Sequence, residues 1–153
     1  SLIITARGVR VIEFNARFGD PETQVVLERL DSSLASLLLA TATGALDSEP
    51  APVFSDDVAI TVVLASEGYP ESPITGRPIF GLAEALDVPG VSIAHAATAA
   101  SEGGFTATGG RVLSVIARAE SFAEARTKAY EALSFIDLDG SHFRTDIALR
   151  VVS

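Results

Sequence analysis

The run VAITVVLA, Val58–Ala65, constrains the fold more than any other stretch of this chain. An apolar run this short, without a charge, reads as a buried strand rather than a surface element. Residues 112–117 (VLSVIA), introduced by Gly109-Gly110, read as a second strand. Two such strands need a core around them, and hydrophobic residues make up 48% of the sequence. A length of 153 residues suits one domain or one and a half.

Helix signals surround these strands. Ser121 and Glu124 match the capping box S-x-x-E ahead of an apolar stripe of Phe122, Ala125, Ala129 and Leu133. Asp20, Pro21 and Glu22 stand where an N-cap, a first helical proline and an acidic first turn belong, predicting a helix to about Leu30. Asp31-Ser32-Ser33 caps another helix with Leu34, Leu37 and Leu38 at helical spacing, and Gly44 is its stop.

Leu2 to Thr5 reads as a strand, Ala6-Arg7-Gly8 as a turn, and residues 9–14 as the return strand of a hairpin. Residues 67–78 hold two Gly and three Pro and read as an extended loop. Residues 91–97 and 105–108 flank Ser101-Glu102-Gly103-Gly104 as a second hairpin, and a last strand is expected within residues 143–151. The polar, proline-rich stretch 47–52 marks a boundary, dividing the chain into residues 1–50 and 51–153. The sum is α+β, mainly antiparallel.

Net charge excludes several partners. Eleven basic against twenty acidic residues leave −9, with a pI near 4.6, so neither a nucleic-acid surface nor a polybasic membrane contact is expected. No apolar run reaches the roughly 18 residues of a membrane helix. Ser1-Leu2-Ile3-Ile4 does not read as a signal peptide. With no cysteine, there is no disulfide framework and no thiol nucleophile, and a cytoplasmic location fits. Two histidines without cysteine argue against a zinc site.

The chemistry concentrates in residues 11–24, VIEFNARFGDPETQ. Strand side chains alternate between faces, so Glu13, Asn15 and Arg17 share one face. Glu13 and Asn15 then have Cα atoms roughly 6.6–6.8 Å apart. Both offer hard oxygen donors, suited to magnesium. Arg17 lies one step further and can hold an anion that the metal also touches. The turn Gly19-Asp20-Pro21-Glu22 opens a helix whose N-terminus favours anions, while Asp20 and Glu22 can accept hydrogen bonds from an amine. Spacing alone serves an exposed ion-pair set with Asp20 as a plain cap equally well.

This stretch resembles the closing motif of the ATP-grasp ligases, in the form found in phosphoribosylamine–glycine ligases. E-x-N-x-R is shared widely in that superfamily, and the continuation F-G-D-P-E-T-Q is specific to these ligases. Gly68-Tyr69-Pro70, Thr75-Gly76, Ile79 with Gly81-Leu82, His95-Ala96, Gly109-Gly110-Arg111-Val112-Leu113, Ala129-Tyr130 and Arg144-Thr145-Asp146-Ile147 carry the resemblance through the chain.

The resemblance implies that residues 1–50 are the C-terminal end of an ATP-grasp domain and residues 51–153 a small, mainly antiparallel C-terminal domain. It implies an ATP-dependent ligase of purine biosynthesis, joining glycine to 5-phosphoribosylamine through a glycyl phosphate. Glu13 and Asn15 match metal ligands (Mg2+ or Mn2+), Arg17 a catalytic position near the transferred phosphate, and Asp20 and Glu22 the substrate side. ATP is the co-substrate. The lobes that clamp the nucleotide have no counterpart here, so the chain is expected to be the C-terminal portion of a longer enzyme and inactive alone. Another ATP-grasp carboxylate–amine ligase, or a non-catalytic packing domain, are the competing readings.

Other residues carry smaller expectations. His95 reads as a structural histidine and His142 as exposed. Arg77 reads as a loop arginine, Arg144 and Asp146 as a structural pair on one strand face, and Ser55-Asp56-Asp57 as the strand entrance.

Overall fold

A computed structural model describes residues 1–14 and 16–152. Its centre is a three-stranded antiparallel sheet of β3 (Val58–Ala65), β8 (Arg111–Ala119) and β5 (Val91–His95), in the order β3-β8-β5. The apolar run that dominates the sequence pairs along its whole length with β8, from Val58↔Ala119 to Leu64↔Leu113.

Both faces of this sheet are covered. Ile60, Val62 and Leu64 face the same way as their partners Ala117, Val115 and Leu113, and all six are buried. Against them packs α4 (Phe122–Phe135), through Ala125, Ala129, Ala132 and Leu133. The alanines let the helix approach closely. Ser121 caps α4 by accepting a hydrogen bond from the Glu124 N–H at 3.2 Å, as the capping box predicts. The opposite face, with Thr61, Val63, Ser114 and Ile116, meets α1 (Glu22–Glu28).

The remaining elements are short. β1 (Leu2–Thr5) and β2 (Gly8–Val11) form the expected hairpin. α2 (Leu34–Thr43) is capped by the Ser33 hydroxyl and closed by Gly44, and a 3-10 turn follows at Leu46–Ser48. β4 (Pro78–Ile79), β7 (Gly104–Ala107) and β6 (Thr98–Ser101) make a second antiparallel sheet in the order β4-β7-β6. The architecture is thus α+β with antiparallel sheets. Among the described residues, no helix is long and apolar enough to cross a membrane.

Several expectations are corrected. β2 ends at Val11, whose partner is Leu2, with one further backbone hydrogen bond from the Ile12 N–H to the Ser1 carbonyl at 2.9 Å. Glu13 and Arg17 therefore lie beyond the strand, and the alternation that aligned them does not extend to them. α1 starts at Glu22 with Pro21 in the cap position and no side-chain cap, so Asp20 is not its N-cap. Its carboxylate is engaged elsewhere, as described below. α1 also stops at Glu28, two residues early.

The hairpin around Glu102 pairs β6 with β7, while β5 pairs with β8 instead. α3 (Leu82–Leu86) was unanticipated in the loop-rich middle. Its entry residue, Gly81, has φ +77, and a Cβ there would collide with the Phe135 carbonyl oxygen.

Residues 143–151 form no strand. Side chains of α4 satisfy their backbone instead. The Tyr130 hydroxyl donates to the Arg144 carbonyl at 2.7 Å and accepts from the Ile147 N–H at 3.2 Å. Arg126 donates to the carbonyls of Thr145 and Ile147. These bonds tie the carbonyls of Arg144, Thr145 and Ile147 and the N–H of Ile147 to α4, and the segment ends in the short helix α5 (Leu149–Val152). Arg144 and Asp146 do pair, through hydrogen bonds of 2.8 and 2.6 Å, which raise the arginine pKa and lower that of the carboxylate.

Candidate active-site cleft

A cleft of about 610 Å³ opens between α1, the turn before it, and strand β5. From the turn come Phe18, Gly19 and Asp20, from α1 Thr23, Gln24, Leu27 and Glu28, and from β5 Ser92 to His95. Asp20, Gln24 and Glu28 are four residues apart in sequence, the spacing that puts side chains on one side of a helix.

The polar groups of this cleft are tied in pairs. Gln24 Nε2 donates to Asp20 Oδ1 at 3.0 Å, and Arg111 Nη2 lies 3.1 Å from Asp20 Oδ2. Arg111 Nη1 also donates to the Asp20 carbonyl at 3.3 Å. Ser92 Oγ donates to Glu28 Oε2 at 2.8 Å. Gln24 Oε1 is buried with no hydrogen-bond partner. His95 is the exposed last residue of β5, where its Nδ1 meets Thr98 Oγ1 at 2.9 Å and its ring lies 4.3 Å from that of Phe105. It is therefore partnered but not buried.

Two arginines of β8 hold α1 at its two ends. Arg111 reaches Asp20, just before the helix. Arg118 donates to the Glu28 carbonyl at 3.2 Å and to Asp57 Oδ2 at 2.8 Å. The hydrogen bond from Arg118 holds the Asp57 carboxyl below its ordinary range, and Asp57 raises the arginine in turn.

Of the five residues singled out from the sequence, only Asp20 lines this cleft among the described ones. Glu22 is exposed and is not among the lining groups. Arg17 is exposed and its Nη1 donates to the Phe18 carbonyl at 2.7 Å. Glu13 is exposed, with its carbonyl accepting from the Ser1 ammonium at 2.7 Å and Oε1 accepting from Ser1 Oγ at 3.3 Å. Asn15 lies outside the described residues. Among the described residues, no group of three or more His, Asp or Glu is placed to hold a metal ion. Gln24, Glu28, Ser92 and Arg111 escaped the sequence reading as site residues. Their spacing of four and eight residues from Asp20 was the signal for the first two.

The family model described as "Phosphoribosylglycinamide synthetase, C domain" matches residues 59–150. The chain belongs to this family. The phosphoribosylglycinamide synthetase C domain accounts for the central sheet, α4 and the second sheet, while α1 and the acidic turn precede the matched span. Relatives extend the likeness across that boundary. A protein named phosphoribosylamine–glycine ligase from Leifsonia xyli subsp. xyli is 66% identical over 97% of this chain and 36% of its own length. One of the same name from Streptomyces coelicolor is 57% identical over 97% of this chain and 36% of its own. The crystal structure of phosphoribosylamine–glycine ligase from Thermotoga maritima superposes with a TM-score of 0.77 at 32% identity, over 95% of this chain and 35% of that one. The chain thus spans about a third of the length of the relatives it matches.

Proposed function

We propose that this chain is the C-terminal portion of a phosphoribosylamine–glycine ligase of purine biosynthesis. The observation that carries the reading is the 66% identity over 97% of the chain with a protein of that name. In the reaction, ATP phosphorylates the glycine carboxylate, giving ADP and a glycyl phosphate. The amine of 5-phosphoribosylamine then attacks the acyl carbon, the amide forms, and inorganic phosphate leaves. A cytoplasmic location belongs to the same proposal.

Residues 1–50 are, in this reading, the end of an ATP-grasp domain, and residues 51–153 the C-terminal domain. Support comes from the hairpin β1–β2, where Leu2 and Ile4 are 68% and 85% exposed. Apolar side chains on a two-stranded ribbon need further protein to cover them. Relatives about three times as long have that further protein.

Each site residue has a proposed task. Glu13 and Asn15 hold magnesium or manganese, which suits their all-oxygen donor set and the exposure of Glu13. The bound metal supplies charge neutralisation at the ATP phosphates. Arg17 steadies the transferred phosphoryl group through its guanidinium. Asp20 and Glu22 accept hydrogen bonds from the substrate amine, and the cleft beside Asp20 gives that substrate room.

The test is ADP release by the purified full-length protein that contains this chain. Release that requires glycine and 5-phosphoribosylamine together supports the ligase. Release that depends on a different carboxylate or amine sinks it. The isolated 153-residue chain, about a third of the length of those relatives, should release none.

A further inference from the structure

Asp20 is held from both sides of its carboxylate and at its carbonyl. Gln24 takes Oδ1, while Arg111 takes Oδ2 and the backbone oxygen. Arg111 comes from 91 residues away, at the first position of β8. Its backbone is closely fixed. The Tyr69 ring lies against Gly110, where a Cβ would collide with it. The Ala97 methyl crowds Gly109 in the same way, and Ser66 Oγ donates to the Gly109 carbonyl at 2.8 Å.

An arginine fork gripping two oxygens of one residue fixes orientation as well as position. Its value to folding is small, because the two side chains are 41% and 40% exposed. Arg111 does not line the cleft itself. We propose that Arg111 is a positioning residue for the ligase reaction: through Asp20, it sets the carboxylate that receives the amine-bearing phosphosugar. The inference rests on the reading of Asp20 as a substrate residue.

The test uses the full-length enzyme with Arg111→Gln, Arg111→Lys, Asp20→Asn and the double variant Asp20→Asn/Arg111→Gln. Misplacing a substrate-contacting group costs roughly tenfold to hundredfold. Arg111→Gln should therefore raise KM for 5-phosphoribosylamine at least about tenfold. KM for ATP and the melting temperature should stay near wild type. Arg111→Lys keeps the charge without the fork and should recover only part of the loss. It also supplies the readout if Arg111→Gln fails to fold. Adding Arg111→Gln to Asp20→Asn should change kcat/KM by less than about twofold, since residues acting through one another are not additive.

A wild-type KM in both Arg111 variants, beside an impaired Asp20→Asn, overturns the inference alone. Full additivity in the double variant also overturns it. Wild-type activity in Asp20→Asn overturns the substrate role of Asp20, and the positioning role with it.

Discussion

Arg118 and Asp57 are joined across 61 residues of sequence by an Nε–Oδ2 hydrogen bond of 2.8 Å. The same guanidinium reaches the Glu28 carbonyl, so one arginine of the central strand ties the strand entrance to the end of α1. Because Arg118 lowers the Asp57 pKa in the folded state, the pair stabilises the fold above the ordinary carboxylate value of 3.8. That contribution is lost as pH falls through the lowered folded value. The melting temperature of wild type, followed by circular dichroism, should fall more steeply below about pH 4 than that of Asp57→Asn. Parallel curves would remove Asp57 from the acid response.

Gly110 and Tyr69 make a second testable pair. Gly110→Ala sets a methyl group into the Tyr69 ring and should destabilise the protein. Tyr69→Ala in the same chain opens the space. The double variant should then be more stable than the sum of the two single losses predicts. Simple additivity in urea unfolding would show that the ring is not what excludes a side chain there.

The core gives a larger effect. Leu64 is 1% exposed between the central sheet and α4. Leu64→Ala should cost about 2–5 kcal/mol in urea unfolding. A loss below about 1 kcal/mol, well under the range for buried Leu→Ala, would mean that the sheet–helix contact is looser than its burial indicates.

Glu13→Gln tests the proposed metal site. In the full-length enzyme it should sharply lower turnover at ordinary magnesium concentrations, with little change in melting temperature. Magnesium titration is the check. Wild-type activity across the whole titration would end the proposed ligand role of Glu13.

What the sequence made legible follows local physics. Val58–Ala65 and the Ser121 capping box were readable because a single segment holds the whole signal. The Ser33 cap and the Gly44 stop were readable for the same reason. Residues 143–151 misled because their partners are Tyr130 and Arg126 on a helix, and pattern within the segment cannot reveal them. Asp20 fitted the cap rule locally, but Arg111 and Gln24 compete for its oxygens. The cleft joins α1 to β5 across more than sixty residues, so only Gln24 and Glu28 on the helix, with Asp20 just before it, had a periodic trace. Glu13 and Arg17 lie past Val11, the last residue of β2, so the alternation read from the sequence has no ladder rungs to rest on there.

The acidic turn decides the central claim, that this cleft serves the ligase reaction. Asn keeps the size of Asp and one side-chain oxygen to accept from Gln24 or Arg111, but it removes the charge. The measurement is ATP-dependent ADP release with glycine and 5-phosphoribosylamine by full-length Asp20→Asn, beside its melting temperature. Expected is melting within a few degrees of wild type with most of the activity lost, and a milder loss in Glu22→Gln. Near-normal turnover in Asp20→Asn would contradict the claim and leave Asp20 as a structural link between α1 and β8.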